Sequence, residues 1–164
     1  MSSGSEYWDG NVVLRPRETP RHEQCVSALA NALRVGLTDL QVLSGVAVRL
    51  GPDRITLPDL IVSGSVDLDD PVVDADVVRL VCEVVSPASA VLDRVLKMHG
   101  YAAAGIPCYL VAEPDRGALH SYELRGDRYV TGTVIDLPAD LGLVVGTNWA
   151  SPGKWATTTP RSAG

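Results

Sequence analysis

The first long segment with a helical pattern follows Pro20. Its apolar residues recur at intervals of three and four, which places them on one face of a helix: Val26, Leu29, Ala30 and Leu33. Proline is favoured in the first turn of a helix and glycine just past its end. The pattern therefore predicts a helix from Pro20 to Gly36. Upstream of it, the stretch NVVLRP predicts a short first strand.

Short apolar stretches predict strands in the middle of the chain. LQVLS, VAVRLG and LPDLIVS each have the length and composition of a strand. The acidic, turn-rich segment 64–77 is typical of a surface loop. Residues 77–85 then form a nearly continuous apolar run, which is typical of a strand buried on both faces.

A second helix is predicted after the break at Ser86 and Pro87, and Gly105 is a suitable end for it. Its apolar face would be formed by Val91, Val95, Met98 and Ala102. Downstream, CYLVAEP predicts another strong strand, and ALHSYEL and RYVTGTVI predict a hairpin. The order of elements predicts an α/β fold with a central mixed β-sheet flanked by helices, in which residues 78–112 form a parallel strand–helix–strand unit.

The composition is that of a soluble protein with one domain. The 164 residues predict a single domain over 1–150, followed by a disordered tail at 151–164 that is rich in Ser, Thr, Pro and Gly. No apolar run is long enough to span a membrane and no leader-type segment opens the chain, so we expect a cytoplasmic location. The preference for Val, Ala, Arg and Asp over Lys, Ile and Phe indicates a bacterial source with a GC-rich genome.

Cysteine usage and net charge restrict the classes of function. Cys25, Cys82 and Cys108 lie among apolar neighbours without the spacing of a metal site, so we expect three buried, reduced thiols. The net charge of −6 weighs against strong non-specific binding of nucleic acid by a monomer. A local cluster of arginines or a bound divalent metal could offset that charge.

Glu83 interrupts the most apolar strand of the chain. Its neighbours predict burial, and an unpaired buried carboxylate either costs several kcal/mol or takes up a proton. The residue therefore requires a cation, which could be a metal, an arginine or a lysine. A purely structural ion pair would also meet this requirement.

Lys97 is unusual because the chain uses arginine for almost every other positive charge. Among 14 lysines and arginines, only Lys97 and Lys154 are lysines, and Lys154 lies in the tail. A lysine ammonium is a compact charge that can orient or deprotonate a water molecule. The simpler interpretation is a surface ion pair with Asp93, four residues earlier on the same helix.

Asp59 follows a proline at the start of a predicted strand. It could cap the entry to that strand as a turn residue. Alternatively, Asp59 and Glu83 together would form an oxygen-ligand site for a hard divalent ion, with Lys97 beside the attacking water.

Three stretches carry a resemblance to a known family: LPDLIV, VCEVVSPAS and DRVLKMHGYAAAGIPCYLVAEP. Over about residues 22–129 the chain resembles the Uma-type restriction endonucleases, a branch of the PD-(D/E)XK nuclease superfamily. The resemblance implies a restriction-endonuclease-like central mixed β-sheet flanked by helices and a phosphodiesterase site that depends on Mg²⁺ or Mn²⁺. Asp59 matches the aspartate of the family's Pro-Asp motif, and Glu83 matches its strand carboxylate.

The resemblance also implies roles for the remaining site residues. The superfamily's usual lysine position is Val85 here, and the lysine is expected on the helix instead, at Lys97. Asp59, Glu83 and the backbone carbonyl of Val84 would hold the metal. His22 matches a family histidine at the start of the first helix, where either capping or substrate contact is possible. Glu23 could add a further carboxylate to the metal site.

Two functions follow as hypotheses. The first is a metal-dependent endonuclease that hydrolyses phosphodiester bonds of nucleic acid, with DNA as the expected substrate. One active site cuts one strand, so double-strand cleavage would require a homodimer or sequential nicking. The second is a non-catalytic protein that keeps the nuclease fold and acts as a binding partner in a larger assembly, which the acidic net charge favours.

Overall fold

The structure is a computed structural model that describes residues 4–15, 18–85 and 92–136. The predicted disordered tail at 151–164 lies outside the described residues. The strands and helices of the described part are β1 Ser5–Trp8, β2 Asn11–Leu14, α1 Pro20–Gly36, β3 Gln41–Ser44, β4 Ala47–Gly51, β5 Arg54–Thr56, β6 Leu60–Ser63, β7 Val72–Asp74, β8 Val78–Val84, α2 Leu92–Ala103, β9 Cys108–Glu113, β10 Ala118–Arg125 and β11 Arg128–Asp136. No helix among the described residues has both the length and the apolar character needed to cross a membrane.

Helix α1 begins and ends at the residues that the sequence predicts. The side chain of Thr19 caps its first turn by accepting a hydrogen bond from the backbone N–H of His22 at 3.2 Å, and Pro20 occupies the first turn. At the other end, the N–H of Leu37 donates to the carbonyl of Leu33. The predicted apolar face is buried.

The central sheet has six strands in the order β11-β10-β9-β8-β6-β3. Strands β8 and β9 pair in parallel, and α2 connects them. The other neighbours in this sheet pair antiparallel. The prediction of a mixed sheet that contains a parallel strand–helix–strand unit over 78–112 is therefore confirmed.

A second sheet, absent from the sequence prediction, has five strands in the order β2-β1-β5-β4-β7. Strand β1 is missing from the prediction because its sequence, SEYW, begins with two polar residues, one of which is the buried Glu6. Strand β7 lies inside the segment predicted as a surface loop and pairs in parallel with β4, so that prediction is wrong for β7. Val73 and Ala75 of this segment are buried despite their acidic neighbours.

The two faces of the central sheet bury two separate apolar clusters. Alternate residues of β6 and β8, such as Leu60 and Leu80, pack with α1 in one cluster, which also contains all three free cysteines. The intervening residues Ile61 and Val81 pack in the other cluster, with residues of the second sheet and of α2. Because side chains alternate along a strand, Glu83 lies on the same face as Val81, towards α2 and the second sheet.

Helix α2 buries a different stripe from the one predicted. Ala102 is buried and Met98 packs against the core, but Val95 is half exposed, so the prediction is wrong for Val95. Val91 lies outside the described residues. The buried stripe instead includes Lys97 and Tyr101, which are four residues apart and so share one face of the helix. The polar contacts of these two side chains explain why a lysine occupies the inner face.

Gly100 lets α2 approach the second sheet closely. A Cβ atom at this position would lie 2.7 Å from the ring of Trp8, which is buried in β1. We expect Gly100→Val to lower the free energy of unfolding by about 2 kcal/mol, because overpacking in a filled interior forces the ring to move. Chemical denaturation measures this change.

Gly51→Val is the matched control, since nothing lies within 4 Å of a Cβ atom built at Gly51. We expect its free energy of unfolding to stay within about 0.5 kcal/mol of the original value. Equal stability of the two variants would show that Trp8 does not pack against Gly100.

Candidate active site

Glu83 is buried near the end of β8 and is held by two side chains from α2. The hydroxyl of Tyr101 donates a hydrogen bond to Glu83 Oε1 at 2.6 Å, and Lys97 Nζ donates to the same oxygen at 3.2 Å. Only 4% of Glu83 is exposed to solvent. The cation that this buried carboxylate requires is therefore supplied, at least in part, by Lys97.

Lys97 lies between two carboxylates that come from different sheets. Its ammonium is 3.2 Å from Glu83 Oε1 and also 3.2 Å from Glu6 Oε1, on β1. Lys97 is 4% exposed, so it does not lie on an open helix surface. The side chain of Asp93, the alternative partner considered from the sequence, lies outside the described residues.

Glu6 is itself fixed by several donors. The hydroxyl of Thr56 and the backbone N–H of Leu57 each donate to Glu6 Oε1 at 3.0 Å, and Trp8 Nε1 donates to Oε2 at 3.1 Å. Sequence reasoning missed this residue. The alternation of Glu6 and Trp8 in β1 could have indicated it, because the two side chains share one face of the strand and Trp8 is a residue type that is usually buried.

Asp59 immediately precedes β6, next to Glu83 on β8. The register that pairs Leu60 with Cys82 brings Asp59 opposite Glu83. The backbone N–H of Val84 donates to Asp59 Oδ2 at 2.7 Å, and His22 Nε2 lies 3.2 Å from the same oxygen. Asp59 is therefore more than a turn residue at the strand entry.

Arg15 links the two predicted metal ligands. Its Nη2 donates to Asp59 Oδ1 at 2.9 Å and lies 4.0 Å from Glu83 Oε2. Arg15 bridges the carboxylates of Asp59 and Glu83, and Lys97 contacts Glu83. The two carboxylates and the ammonium therefore lie close together. The convergence predicted from the sequence is present, although Arg15 was not among the predicted residues.

His22 and Glu23 differ in their relation to the site. His22 is buried against Asp59, and its Nδ1 has no hydrogen-bond partner within the described part of the chain. Glu23 Oε1 lies 3.9 Å from that nitrogen, but the Glu23 side chain is 69% exposed. Glu23 is thus on the outer side of His22, away from the buried carboxylates.

The pKa values of the site's three buried carboxyl groups, Glu6, Asp59 and Glu83, are shifted in different directions. Burial raises the pKa of Glu83 to about 7, and the charge of Asp59 adds to this rise, although Lys97 opposes it. Burial also acts to raise the pKa of Asp59, but the hydrogen bond from His22 and the charge of Arg15 keep it below its usual value. The pKa of Glu6 is likewise lowered, because Lys97 and the backbone of Leu57 outweigh its burial.

The two basic partners of Asp59 show the complementary effect. Burial acts to lower the pKa of Arg15, but the charges of Asp59 and Glu83 raise it above its usual value. Burial also acts to lower the pKa of His22. The hydrogen bond to Asp59 outweighs this effect and raises the pKa of His22 above its ordinary value. A protonated His22 would add a positive charge beside Asp59.

An open cavity of about 110 Å³ adjoins the buried charges. Its lining includes Glu6, Arg15, Glu83, Arg94 and Lys97. Acidic and basic side chains therefore face the same space, which is large enough for several water molecules.

The donor set fits a hard divalent ion. Asp59 and Glu83 are adjacent oxygen donors, and the position between them already accommodates the positive charge of Arg15. Within the described residues, no three His, Cys, Asp or Glu side chains form a complete metal cage. Mg²⁺ commonly binds one or two carboxylates and takes its other ligands from water and phosphate.

Comparison with solved structures identifies the fold. A crystal structure from Anabaena variabilis, described as "a putative nuclease belonging to DUF820", matches with a TM-score of 0.69 and 16% sequence identity. The match covers 83% of this chain and 78% of that chain. The predicted α/β fold, with a mixed sheet and flanking helices, is confirmed, and the chain shares it with that structure.

The family is shown by the sequence. The Uma2 family, described as "Putative restriction endonuclease", matches residues 3–148, and the chain belongs to this family. The resemblance inferred from the Pro-Asp, Glu-Val and Asp-x-x-x-Lys stretches is therefore confirmed. No curated protein matches the chain.

The raised pKa of Glu83 predicts how stability depends on pH in the absence of metal. Because this pKa is about 7 in the folded state against 4.5 ordinarily, the folded protein binds more protons between these values, and its stability falls as pH rises. Glu83→Gln removes the titration. We expect this variant to gain up to about 3 kcal/mol of stability relative to the unmodified protein between about pH 4.5 and pH 7.

Urea unfolding with a metal chelator, at several pH values, measures this difference. Glu123→Gln, which removes an exposed carboxylate on β10, should show no such gain. A pH-independent difference between Glu83→Gln and the unmodified protein would mean that Glu83 stays ionised throughout.

Proposed function

We propose that the protein is a metal-dependent endonuclease that hydrolyses phosphodiester bonds, with DNA as substrate. Membership of a family described as restriction endonucleases supports a nuclease that acts on nucleic acid. The observation that carries the proposal is the buried contact of Lys97 with Glu83, beside Asp59 and at the wall of a cavity. Acidic oxygen ligands for a metal, next to a fixed ammonium, can stabilise the negative charge that develops when a phosphodiester is hydrolysed.

In this proposal, Asp59 and Glu83 hold Mg²⁺ or Mn²⁺ together with the backbone carbonyl of Val84. The ion would polarise a phosphoryl oxygen and lower the pKa of a bound water. Val84 also supports the site through its N–H, which orients Asp59. His22 fixes the same carboxylate from α1.

Lys97 would donate to the attacking water or to the phosphate oxygens. Glu6 and Glu83 hold its ammonium from two sides, which fixes its position relative to the metal ligands. Such fixed charges lower a reaction barrier because they need no reorganisation when negative charge develops. Each site would cut one strand, so double-strand cleavage would proceed in a homodimer or by two successive nicks.

A second candidate function is a non-catalytic binding partner that keeps the nuclease fold. The specific observation in its favour is that Arg15, His22 and Val84 already contact both oxygens of Asp59. The site could then be a structural ion network. Metal binding and cleavage assays separate the two candidates.

The first assay is direct metal binding. We expect Asp59→Asn and Glu83→Gln each to weaken binding of Mn²⁺ by at least about tenfold, because each removes one of two negatively charged ligands. Isothermal titration calorimetry measures the affinity, and circular dichroism checks that the fold is intact. Unchanged affinity in both variants would remove these residues as ligands.

The second assay is Mn²⁺-dependent nicking of plasmid DNA by Lys97→Arg. The planar guanidinium cannot occupy the position of the compact ammonium between two carboxylates. We expect nicking to fall by roughly 100-fold, the scale for losing a group that stabilises charge in the transition state, while Mn²⁺ still binds.

Arg49→Lys is the matched control for this exchange, since Arg49 forms an exposed pair with Asp74. It should nick at the original rate. Full activity of Lys97→Arg would exclude the catalytic role. Absence of metal-dependent cleavage by the unmodified protein would favour the non-catalytic function.

A further inference from the structure

Each predicted metal ligand has one oxygen committed to other donors. Asp59 Oδ2 accepts from the N–H of Val84 at 2.7 Å and lies 3.2 Å from His22 Nε2. Glu83 Oε1 accepts from Tyr101 at 2.6 Å and from Lys97 at 3.2 Å. The oxygens that remain for a metal are therefore Asp59 Oδ1 and Glu83 Oε2.

Arg15 contacts these same two oxygens. Its Nη2 is 2.9 Å from Asp59 Oδ1 and 4.0 Å from Glu83 Oε2. A second contact, from Nη1 to the backbone carbonyl of Leu57, fixes the guanidinium in this place. The side chain is 21% exposed, so the charge is largely shielded from water.

A divalent ion and the guanidinium cannot both occupy this position. They would compete for the same two oxygens and would repel each other across a few ångströms of partly buried space, where charges interact more strongly than in water. Without a metal, the buried carboxylate of Asp59 still needs a cation beside it, because an unpaired buried charge would destabilise the fold.

We propose that Arg15 is the resident counter-ion of the metal site and that binding of the metal displaces it. The inference rests on the proposed metal site of Asp59 and Glu83. In the metal-free protein Arg15 pairs with Asp59 and lies 4.0 Å from Glu83, and it thereby lowers the affinity for metal by competition. Arg15 is thus a residue that sets metal affinity and is not a ligand.

Glu18 offers the displaced side chain a new partner. Its Oε1 is already 3.7 Å from Arg15 Nη2, and it lines the same cavity. Glu18 is 30% exposed, so a pair formed there costs less desolvation than one inside the site. A short movement towards Glu18 would free both metal-binding oxygens.

The test is calorimetric titration with Mn²⁺ of the unmodified protein, Arg15→Gln and Arg49→Gln. Arg15→Gln should bind Mn²⁺ at least about tenfold more tightly than the unmodified protein, because the competing charge is gone. Arg49→Gln removes an exposed arginine that pairs with Asp74, and it should leave the affinity unchanged.

A second readout is thermal stability. Without metal, Arg15→Gln should melt at a lower temperature than the unmodified protein. Mn²⁺ should raise the melting temperature of Arg15→Gln by more than it raises that of the unmodified protein, since tighter binding stabilises the folded state more. If Arg15→Gln does not fold, Arg15→Lys replaces it. A lysine is a point charge that contacts one oxygen at a time, so it should compete less and give intermediate affinity.

The outcomes separate this inference from the proposed function. Equal or weaker Mn²⁺ binding by the Arg15 variants, with clear binding by the unmodified protein, would overturn the competition and leave the metal site intact. Absence of binding in every variant, Arg15→Gln included, would overturn the metal site itself. Binding by Arg15→Gln but not by the unmodified protein would support both.

Discussion

The structure depends on neutralising three carboxylates that are buried close together. Glu6, Asp59 and Glu83 are each less than a tenth exposed, and a buried charge is tolerated only with a partner and hydrogen bonds. Lys97 lies between Glu6 and Glu83 at 3.2 Å from each, and Arg15 pairs with Asp59 at 2.9 Å and lies 4.0 Å from Glu83. The site is thus a network in which two cations, Lys97 and Arg15, lie among three buried carboxyl groups.

This network also joins the separate parts of the fold. Glu6 belongs to the five-stranded sheet and Glu83 to the six-stranded sheet, while Lys97 comes from the helix between β8 and β9. The ammonium therefore connects all three elements at one point. Close approach of α2 to β1 at Gly100 and Trp8 brings the charges within reach. The proposed site and the packing are coupled here, because the contacts of Lys97 with Glu6 and Glu83 also link the two sheets.

The sequence could predict those features of the site that depend on the local pattern of apolar and charged residues. The apolar run around Glu83 indicated a buried acid that needs a cation, with a metal, an arginine and a lysine all possible, and the single lysine on the next helix marked Lys97 as a candidate site residue. Glu6 and Arg15 could not be found in this way, since Glu6 contacts residues 51 positions later and Arg15 contacts Asp59 44 positions later. Such pairings depend on how two sheets pack, which local periodicity does not contain. Val95 was assigned to the wrong face for the same reason, because polar contacts of Lys97 and Tyr101 set the orientation of α2.

The central claim is that Asp59 and Glu83 share a divalent ion at the position that Arg15 occupies without metal. Anomalous diffraction from crystals grown with Mn²⁺ tests it most directly, since manganese scatters anomalously and no atom of the protein gives a comparable signal. The account predicts a strong peak in contact with Asp59 Oδ1 and Glu83 Oε2, with the guanidinium of Arg15 moved away from both oxygens towards Glu18. A crystal saturated with Mn²⁺ that shows no peak there, and Arg15 still bound to Asp59, would contradict it.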